Sequence, residues 1–237
     1  MRRLLATVSL SAAVFGAQAA DFGFANLNPL QSDFRNVSQD VIAAISAKPL
    51  GPATPDGITG FSVGPYATYT KTQNRDSWKR LTNDDVDAVG TVGVSARKGL
   101  PFGVDIGAQY AQVPGTDAKL YGGEVRWAIL EGSLATPALG IRGSYIKLTG
   151  EKDLKADAKA LDATVSKGFP FVTPYAGAGY VWGTTKSDPQ YALQDVNVDK
   201  ARFFVGAKLS LLLLQLTPEY ERIGNHDVYN LRLSLGF

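Results

Sequence analysis

Cysteine is absent from the 237 residues, and histidine occurs once, at His226. Without thiols the chain cannot form a disulfide, hold an iron–sulfur cluster or bind a metal through thiolates. A single imidazole also excludes a metal site built from several histidines. The sequence shows no nucleophile elbow, no phosphate-binding glycine loop and no metal-ligand spacing. We therefore expect no cofactor, no metal and no catalytic residue.

The chain also lacks long apolar runs after its first twenty residues. The run Leu211–Leu214 is only four residues long, whereas a transmembrane helix needs about 20. This excludes a helical membrane anchor in that region but leaves open a β-barrel, whose strands carry an alternating pattern that is missed when hydropathy is averaged along the chain.

The N-terminus has the three parts of a secretory signal peptide. Arg2 and Arg3 precede a short apolar run, and Ala17-Gln18-Ala19 provides an A-x-A cleavage site,. We expect residues 1–19 to be cleaved after export across the inner membrane of a Gram-negative cell. Cleavage removes two of the 24 basic residues and leaves 22, which equals the number of acidic residues. A chain without net positive charge is not expected to bind nucleic acid.

Ten segments alternate between apolar and polar residues with the period of two that is typical of strands. In 103–113, for example, Val104 and Ile106 share one face, while Asp105 and Gln109 share the other. The apolar faces often end in Tyr or Trp, which favour membrane interfaces. The predicted fold is an all-β, transmembrane, antiparallel up-and-down barrel of about ten strands over residues 57–237. The strands are expected near 58–71, 86–97, 103–113, 119–130, 138–149, 155–167, 172–184, 201–211, 213–222 and 227–237.

The last strand ends on an aromatic residue after a regular apolar row. This row resembles the C-terminal signature of bacterial outer-membrane barrel proteins, which is recognised by the barrel assembly machinery. The resemblance implies a location in the cell outer membrane, with lipid and that machinery as partners. The residues that carry it are Tyr229, Leu231, Leu233, Leu235 and Phe237.

Charged residues on the polar faces should point into the barrel lumen, where bare charges are costly and must be paired. They either form a network that fills the barrel or line a path for small polar solutes. A barrel of about eight strands is filled by side chains, so we favour limited small-solute passage or a structural and surface-interaction role. A small solute or a hydrophobic ligand is a possible partner. The expected lumen charges are Asp105, Glu124, Arg126, Arg142, Asp162, Lys208, Glu219, Glu221 and Arg232.

Residues 20–56 do not have the pattern of barrel strands. Apolar residues from Phe34 to Ile45 recur at helical spacing, which predicts an amphipathic helix near 33–47 with Ser32 as its N-cap,. The helix could plug the lumen, cap the barrel from below or lie on the membrane surface. N-terminal segments also plug the larger long-chain fatty-acid transporters of the outer membrane, which offers an analogy.

An enzyme is the contrasting hypothesis. The omptins, surface proteases with ten strands, place acidic residues and an Asp–His pair at the outer rim. Here Asp84, Asp85 and Asp87 end the first long loop, and His226-Asp227 lies in the last one. The omptin pair is separated by one residue, whereas His226 and Asp227 are adjacent and should point to opposite faces of a strand. An omptin-like hydrolase is therefore the alternative function.

Overall fold

A computed structural model describes residues 22–25, 28–133 and 135–237 of the chain. The expected signal segment, residues 1–19, lies outside these ranges. None of the helices within them is long and apolar enough to cross a membrane.

The strands form one closed antiparallel barrel, in which each strand pairs with its neighbours in sequence and the first pairs with the last. Closure leaves no strand edge without a partner. The predicted barrel of about ten strands with an N-terminal helix is confirmed. The elements are α1 (Gln31–Ile45), β1 (Phe61–Lys71), α2 (Arg75–Thr82), β2 (Ala88–Gly99), β3 (Val104–Gln112), β4 (Lys119–Leu130), β5 (Ala138–Thr149), β6 (Leu154–Ser166), β7 (Val172–Ser187), β8 (Val196–Leu211), β9 (Leu214–Ile223) and β10 (His226–Gly236), with short 3-10 turns at Pro101–Gly103 and Pro189–Tyr191.

Two connections differ from the sequence-based expectation. The segment 185–200 was expected as a long loop, but β7 continues to Ser187 and β8 begins at Val196. Their additional residues bury apolar side chains such as Val198 inside the barrel, which favours strand over loop. The first long loop contains α2, which ends at Asn83 in the left-handed conformation, a usual way to terminate a helix.

The two rims of the barrel differ in their connections. The connections after β1, β3, β5, β7 and β9 include the longest one, which holds α2, and together they form the long-loop rim. The other connections form the short-turn rim, where the chain also enters β1 and leaves β10. We name the two halves of the barrel after these rims.

The inward-facing residues change character along the barrel axis. In β6 the inward positions near the long-loop rim are Ala156, Ala158 and Ala160, and farther along the same row they become Asp162 and Ser166. The inward rows of β4 and β5 show the same change, from Leu120 to Arg126 and from Leu148 to Arg142. The lumen is therefore apolar in the long-loop half and polar or charged in the short-turn half.

The exterior changes in the opposite sense. In β6 the outward residues are Lys155 and Lys159 in the long-loop half but Leu161 and Val165 in the short-turn half. Aromatic side chains lie outside the barrel near the level of the change. Below them, an apolar belt surrounds the short-turn half. The aromatic residues at this level, which we call the aromatic ring, are Tyr69, Tyr110, Tyr121, Tyr145, Tyr180, Trp182, Tyr220 and Tyr229.

The N-terminal helix begins two residues earlier and ends two residues earlier than the sequence predicts. Leu30 occupies the N-cap position without a side-chain hydrogen bond, so the expectation that Ser32 caps the helix is wrong. Ser32 instead lies inside the first turn and is exposed. At the other end, the backbone N–H of Ser46 donates to the carbonyl of Ile42 at 3.1 Å.

The apolar belt predicts that Leu233→Arg strongly impairs folding in lipid vesicles. Leu233 faces outward midway between Tyr229 and Phe237, and an arginine at the bilayer midplane costs about 2–4 kcal/mol. Asn197→Arg is the matched control, because Asn197 faces outward in the polar long-loop half. The folded fraction, read from heat-dependent electrophoretic mobility, should fall for Leu233→Arg only. Equal losses in both variants would contradict the assigned belt.

Candidate functional site

The N-terminal helix lies inside the barrel, in the long-loop half of the lumen. Residues 41–52 form an unbroken buried run, which includes the whole circumference of the last helical turn. Apolar wall residues such as Leu148 and Val181 surround it. At Gly183 the wall comes so close to Ile42 that a Cβ atom would collide with the Ile42 side chain. Of the three placements left open by the sequence, the structure selects the plug.

Asp40 fixes the helix to the barrel and to α2. Its carboxylate accepts hydrogen bonds from Trp78 Nε1 at 2.8 Å and from His226 Nε2 at 2.6 Å. The backbone N–H groups of Gln73 and Asn74 donate to it at 3.2 Å, and Asn74 Nδ2 donates at 2.9 Å. Asp40 is fully buried, so these donors replace the water that a carboxylate otherwise requires. The contacts join the helix, the first long loop and the last strand at one point.

The mouth at the long-loop rim is closed by α2 and by the segment before α1. The rings of Phe22 and Trp78 lie 5.7 Å apart, and those of Phe24 and Tyr191 lie 4.8 Å apart. The backbone N–H of Phe24 donates to Asp153 Oδ2 at 2.9 Å. Residues 22–25 are therefore held at the long-loop rim, at the opposite end of the barrel from the start of β1.

A second contact between α1 and α2 is an ion pair. Arg80 donates to both carboxylate oxygens of Asp33, at 2.7 and 3.0 Å. The hydrogen bond from Arg80 lowers the pKa of Asp33 below its ordinary value, although partial burial opposes this shift. The pair strengthens the attachment of the plug to the loop above it.

Residues 46–60, which we call the strap, run from the end of α1 through the short-turn half to β1. The barrel wall donates hydrogen bonds to the strap's carbonyl groups. Gln109 and Arg142 donate to the Lys48 carbonyl at 2.9 and 3.0 Å, and Arg126 donates to the Pro49 carbonyl. Leu50 has a left-handed backbone with φ of 50°, and its N–H donates to Glu219 at 3.0 Å. The strap's polar backbone is thus paired with side chains instead of with another strand.

The lumen charges form a continuous chain of ion pairs around the strap. Glu124 contacts Arg97, Arg126 and Arg142 at 3.4, 2.9 and 2.6 Å. Asp162 then joins Arg142 at 2.8 Å to Arg202 at 3.1 Å. Glu221 continues the chain, 2.7 Å from Arg202 and 3.5 Å from Lys48 of the strap. Each buried charge in this chain of ion pairs therefore has at least one partner of opposite sign within 4.0 Å,.

The other predicted lumen charges lie inside the barrel with mainly neutral partners. Asp105 accepts a hydrogen bond from the N–H of Asp56 at 3.1 Å. Glu219 accepts one from the hydroxyl of Tyr175 at 2.7 Å. Arg232 donates hydrogen bonds to the hydroxyl groups of Ser95 and Ser62. Lys208 is half-buried and has no carboxylate of the described chain within 4.0 Å.

Four charged residues of this arrangement were not among the predicted sites. Arg97 and Arg202 share the inward parity of their strands with other polar residues, so the alternation could have identified them. Lys48 and Asp40 lie in the N-terminal segment, outside the barrel strands. The sequence contains no local signal for either role, because both depend on the helix being inside the barrel.

The residues of the C-terminal signature all face outward, four of them on β10 and Phe237 directly after it. At the short-turn rim the ring of Phe237 lies 4.8 Å from that of Phe61, edge to face. This contact lies where β10 meets β1 and closes the barrel. Recognition of the row by the assembly machinery stays a prediction.

The residues of the hydrolase hypothesis are not brought together. His226 is buried and bound to Asp40 of the plug, whereas Asp84, Asp85 and Asp87 are exposed on the rim. The carboxylates of Asp85 and Asp87 lie 3.0 and 2.5 Å from Arg75. Asp227 accepts a hydrogen bond from Tyr220 outside the barrel. Within the described residues, no three His, Asp or Glu side chains are arranged to hold a metal ion.

No family model and no curated protein matches the chain. Several solved structures resemble it in fold. The N-terminal β-barrel domain of OprF from Pseudomonas aeruginosa is 13% identical, with a TM-score of 0.41 over 76% of this chain and 99% of that one. The translocator domain of the autotransporter NalP from Neisseria meningitidis is 10% identical, with a TM-score of 0.38 over 87% and 95% of the two chains. LpxR from Salmonella typhimurium is 9% identical, with a TM-score of 0.38 over 62% and 72%. Likeness at this level carries no inference about function.

We predict that Asp40→Ala loosens the plug while the barrel stays folded. The change leaves the indole N–H of Trp78 and the buried ring of His226 without their acceptor, and breaking such a buried arrangement costs about 3–5 kcal/mol. Hydrogen exchange should accelerate by at least tenfold in residues 31–45 and remain slow in the strands. Gln39→Ala is the control, because among the described residues its side chain accepts a hydrogen bond from the half-buried Lys200 alone. Unchanged exchange in α1 of the Asp40→Ala variant would show that the carboxylate does not hold the plug.

Proposed function

We propose that the protein is an outer-membrane β-barrel held closed by its own N-terminal segment, with a structural or surface-interaction role. The observation that carries the proposal is that the lumen is occupied along its whole length. The helix α1 fills the apolar half, and the strap with its ion pairs fills the polar half. An open path for solutes would require both to move.

The exterior supports a membrane location. The apolar belt extends from the aromatic ring to Phe61 and Phe237 at the short-turn rim. With about 3.3 Å per residue and a strand tilt of about 40°, the eight steps from Tyr229 to Phe237 span about 20 Å. Outer-membrane barrels carry an apolar band of about 25 Å between aromatic girdles. The C-terminal row, which resembles the signature read by the barrel assembly machinery, favours the same location.

The orientation follows from the connections. Barrels of this kind place both strand termini and the short turns in the periplasm and the longer loops outside the cell. By this rule the long-loop rim, with α2 and residues 22–25, faces the exterior of the cell. The parts available to a surface partner are then α2 and the long loops.

The structure offers less support for the hydrolase alternative. A general base must be able to reach a substrate or a water molecule, but His226 is sealed beneath α2 and engaged by Asp40. We therefore prefer a role without catalysis.

We expect the intact protein to show no steady conductance in a planar lipid bilayer. Deletion of residues 21–50 removes α1 and part of the strap and should produce measurable channel openings. The openings should be small, because a ten-stranded barrel lies near the size that side chains fill. Heat-dependent electrophoretic mobility must first show that the deletion variant folds, and Asp40→Ala provides a second test that keeps the N-terminal segment in place in the chain.

A large, stable channel from the intact protein would refute closure. A folded deletion variant without conductance would show that the wall charges alone seal the lumen, and would overturn the plug as the element that closes it.

Cysteine labelling tests the orientation, because the native chain contains no thiol. Leu30 and Asp84 are exposed at the long-loop rim, and Leu212 is almost fully exposed at the short-turn rim. In intact cells, a membrane-impermeant maleimide should label Leu30→Cys and Asp84→Cys. It should label Leu212→Cys only after the outer membrane is disrupted.

The pattern of labelling separates two errors. Labelling of Asp84→Cys without Leu30→Cys would contradict the position of the N-terminal segment. Labelling of Leu212→Cys alone in intact cells would reverse the orientation. If none of the variants fractionated with the outer membrane, the proposed location would be wrong.

A further inference from the structure

The exterior of the long-loop half is rich in lysine on the side formed by β4 to β7. Lys147 lies beside Asp157 in the strand register, and Lys159 lies between Tyr145 and Trp182. One outward position beyond Asp157 toward the long-loop rim, Lys155 is paired with Lys186. Lys119 on β4 is diagonal to Lys147. All five lysines are exposed. We call this surface the lysine face.

Most of these lysines lack an anionic partner. Lys186 has its own, Asp195, at 2.7 Å. The other four have no carboxylate of the described chain within 4.0 Å. The two nearest acidic side chains are Asp157 and Asp199. Of these, Asp199 already accepts a hydrogen bond from Tyr180 at 2.7 Å. Asp157 and Asp199 both line the groove on this face. Against them stand four lysines without an ion pair in the described chain, so the face carries an excess of positive charge.

The other side of the barrel has a different exterior. There Arg222 lies 3.5 Å from Asp227, and Lys71 is paired with Ala88, while Lys98 of β2 lies at the far, short-turn end of that strand. Clustered positive charge is thus a property of one side and not of the whole circumference.

A groove on the lysine face has a volume of about 590 Å³. Its lining combines the flat ring of Trp182 with polar groups from Thr184, Asn197 and Asp199, and Lys159 lies at its edge. An aromatic surface surrounded by hydroxyl, amide and carboxylate groups suits a sugar, whose apolar face stacks on a ring while its hydroxyls form hydrogen bonds. The neighbouring lysines suit phosphate, which is attracted to clustered basic residues at a membrane surface.

We propose that the lysine face binds the headgroup of a phosphorylated glycolipid in the membrane leaflet around the barrel. This inference rests on the proposed membrane location, since the groove lies directly beyond the aromatic ring, at the level of lipid headgroups. The phosphates contact Lys147, Lys155 and Lys159, and a sugar lies against Trp182. Charge complementarity and the position beside the apolar belt select a lipid headgroup over a protein partner.

The test uses the complete protein, refolded in a nonionic detergent, and bis-phosphorylated lipid A as the probe. Native mass spectrometry measures the bound fraction over a range of lipid concentrations. The double variant Lys147→Gln/Lys159→Gln should bind about tenfold more weakly, because each lysine near a charged lipid contributes severalfold to affinity. Lys71→Gln/Lys79→Gln removes the same charge elsewhere on the exposed surface and should bind within twofold of the native protein.

Two further measurements separate phosphate from sugar recognition. Dephosphorylated lipid A should bind the native protein about as weakly as the phosphorylated lipid binds the double lysine variant. Trp182→Ala should weaken binding of both lipids. Equal binding by the two double variants, or equal binding of the two lipids, would overturn the proposal. Because these measurements use detergent, they can fail while cell fractionation still supports the membrane location, so the two proposals are tested separately.

Discussion

The arrangement of the short-turn half depends on the pairing of the strap's carbonyl groups with arginine side chains of the wall. Arg126 and Arg142 each bind Glu124 and a strap carbonyl. A guanidinium group has several donors in a fixed plane, so it can satisfy an acid and a carbonyl together. Without the strap, these donors would lose partners, and without the arginines, the strap would bury unpaired backbone oxygens. Wall and strap therefore stabilise each other.

The reversal of polarity along the strands explains how one barrel meets two environments. In the short-turn half the exterior is apolar and the interior is charged, which suits a wall between lipid and a polar lumen. In the long-loop half the exterior is polar and the interior packs around α1, as in a water-soluble protein with a hydrophobic core. The same inward parity is kept throughout β6, from Ala156 to Ser166. Only the residue types change, so the strand passes from one environment to the other without a β-bulge.

Much of the fold follows from period-two alternation, because inward and outward neighbours meet different surroundings. The same reasoning placed Glu124, Arg142 and Asp162 inside the barrel, where they now form one ion-pair chain. It could not identify Asp40, which lies on a helix, where a polar residue opposite the apolar stripe normally faces water,. Along the sequence, Gln73 lies 33 residues from Asp40 and His226 lies 186 residues from it. No local pattern encodes such distant contacts, and the helix α2 also lacked an apolar stripe long enough to be recognised.

The course of the strap restricts the order in which the chain can fold. Together, α1 and the strap cross the lumen from end to end, and the strap continues directly into β1, whose pairing with β10 closes the barrel. Threading α1 through a finished wall would require the buried side chains around it to part. It is less costly for the sheet to curl around the helix and for β1 and β10 to join afterwards. Closure then brings together segments at opposite ends of the chain, a step with a large entropic cost. The plug is in this sense a template around which the wall is assembled, and the apolar wall residues facing it provide a reason for the sheet to curl in the correct direction.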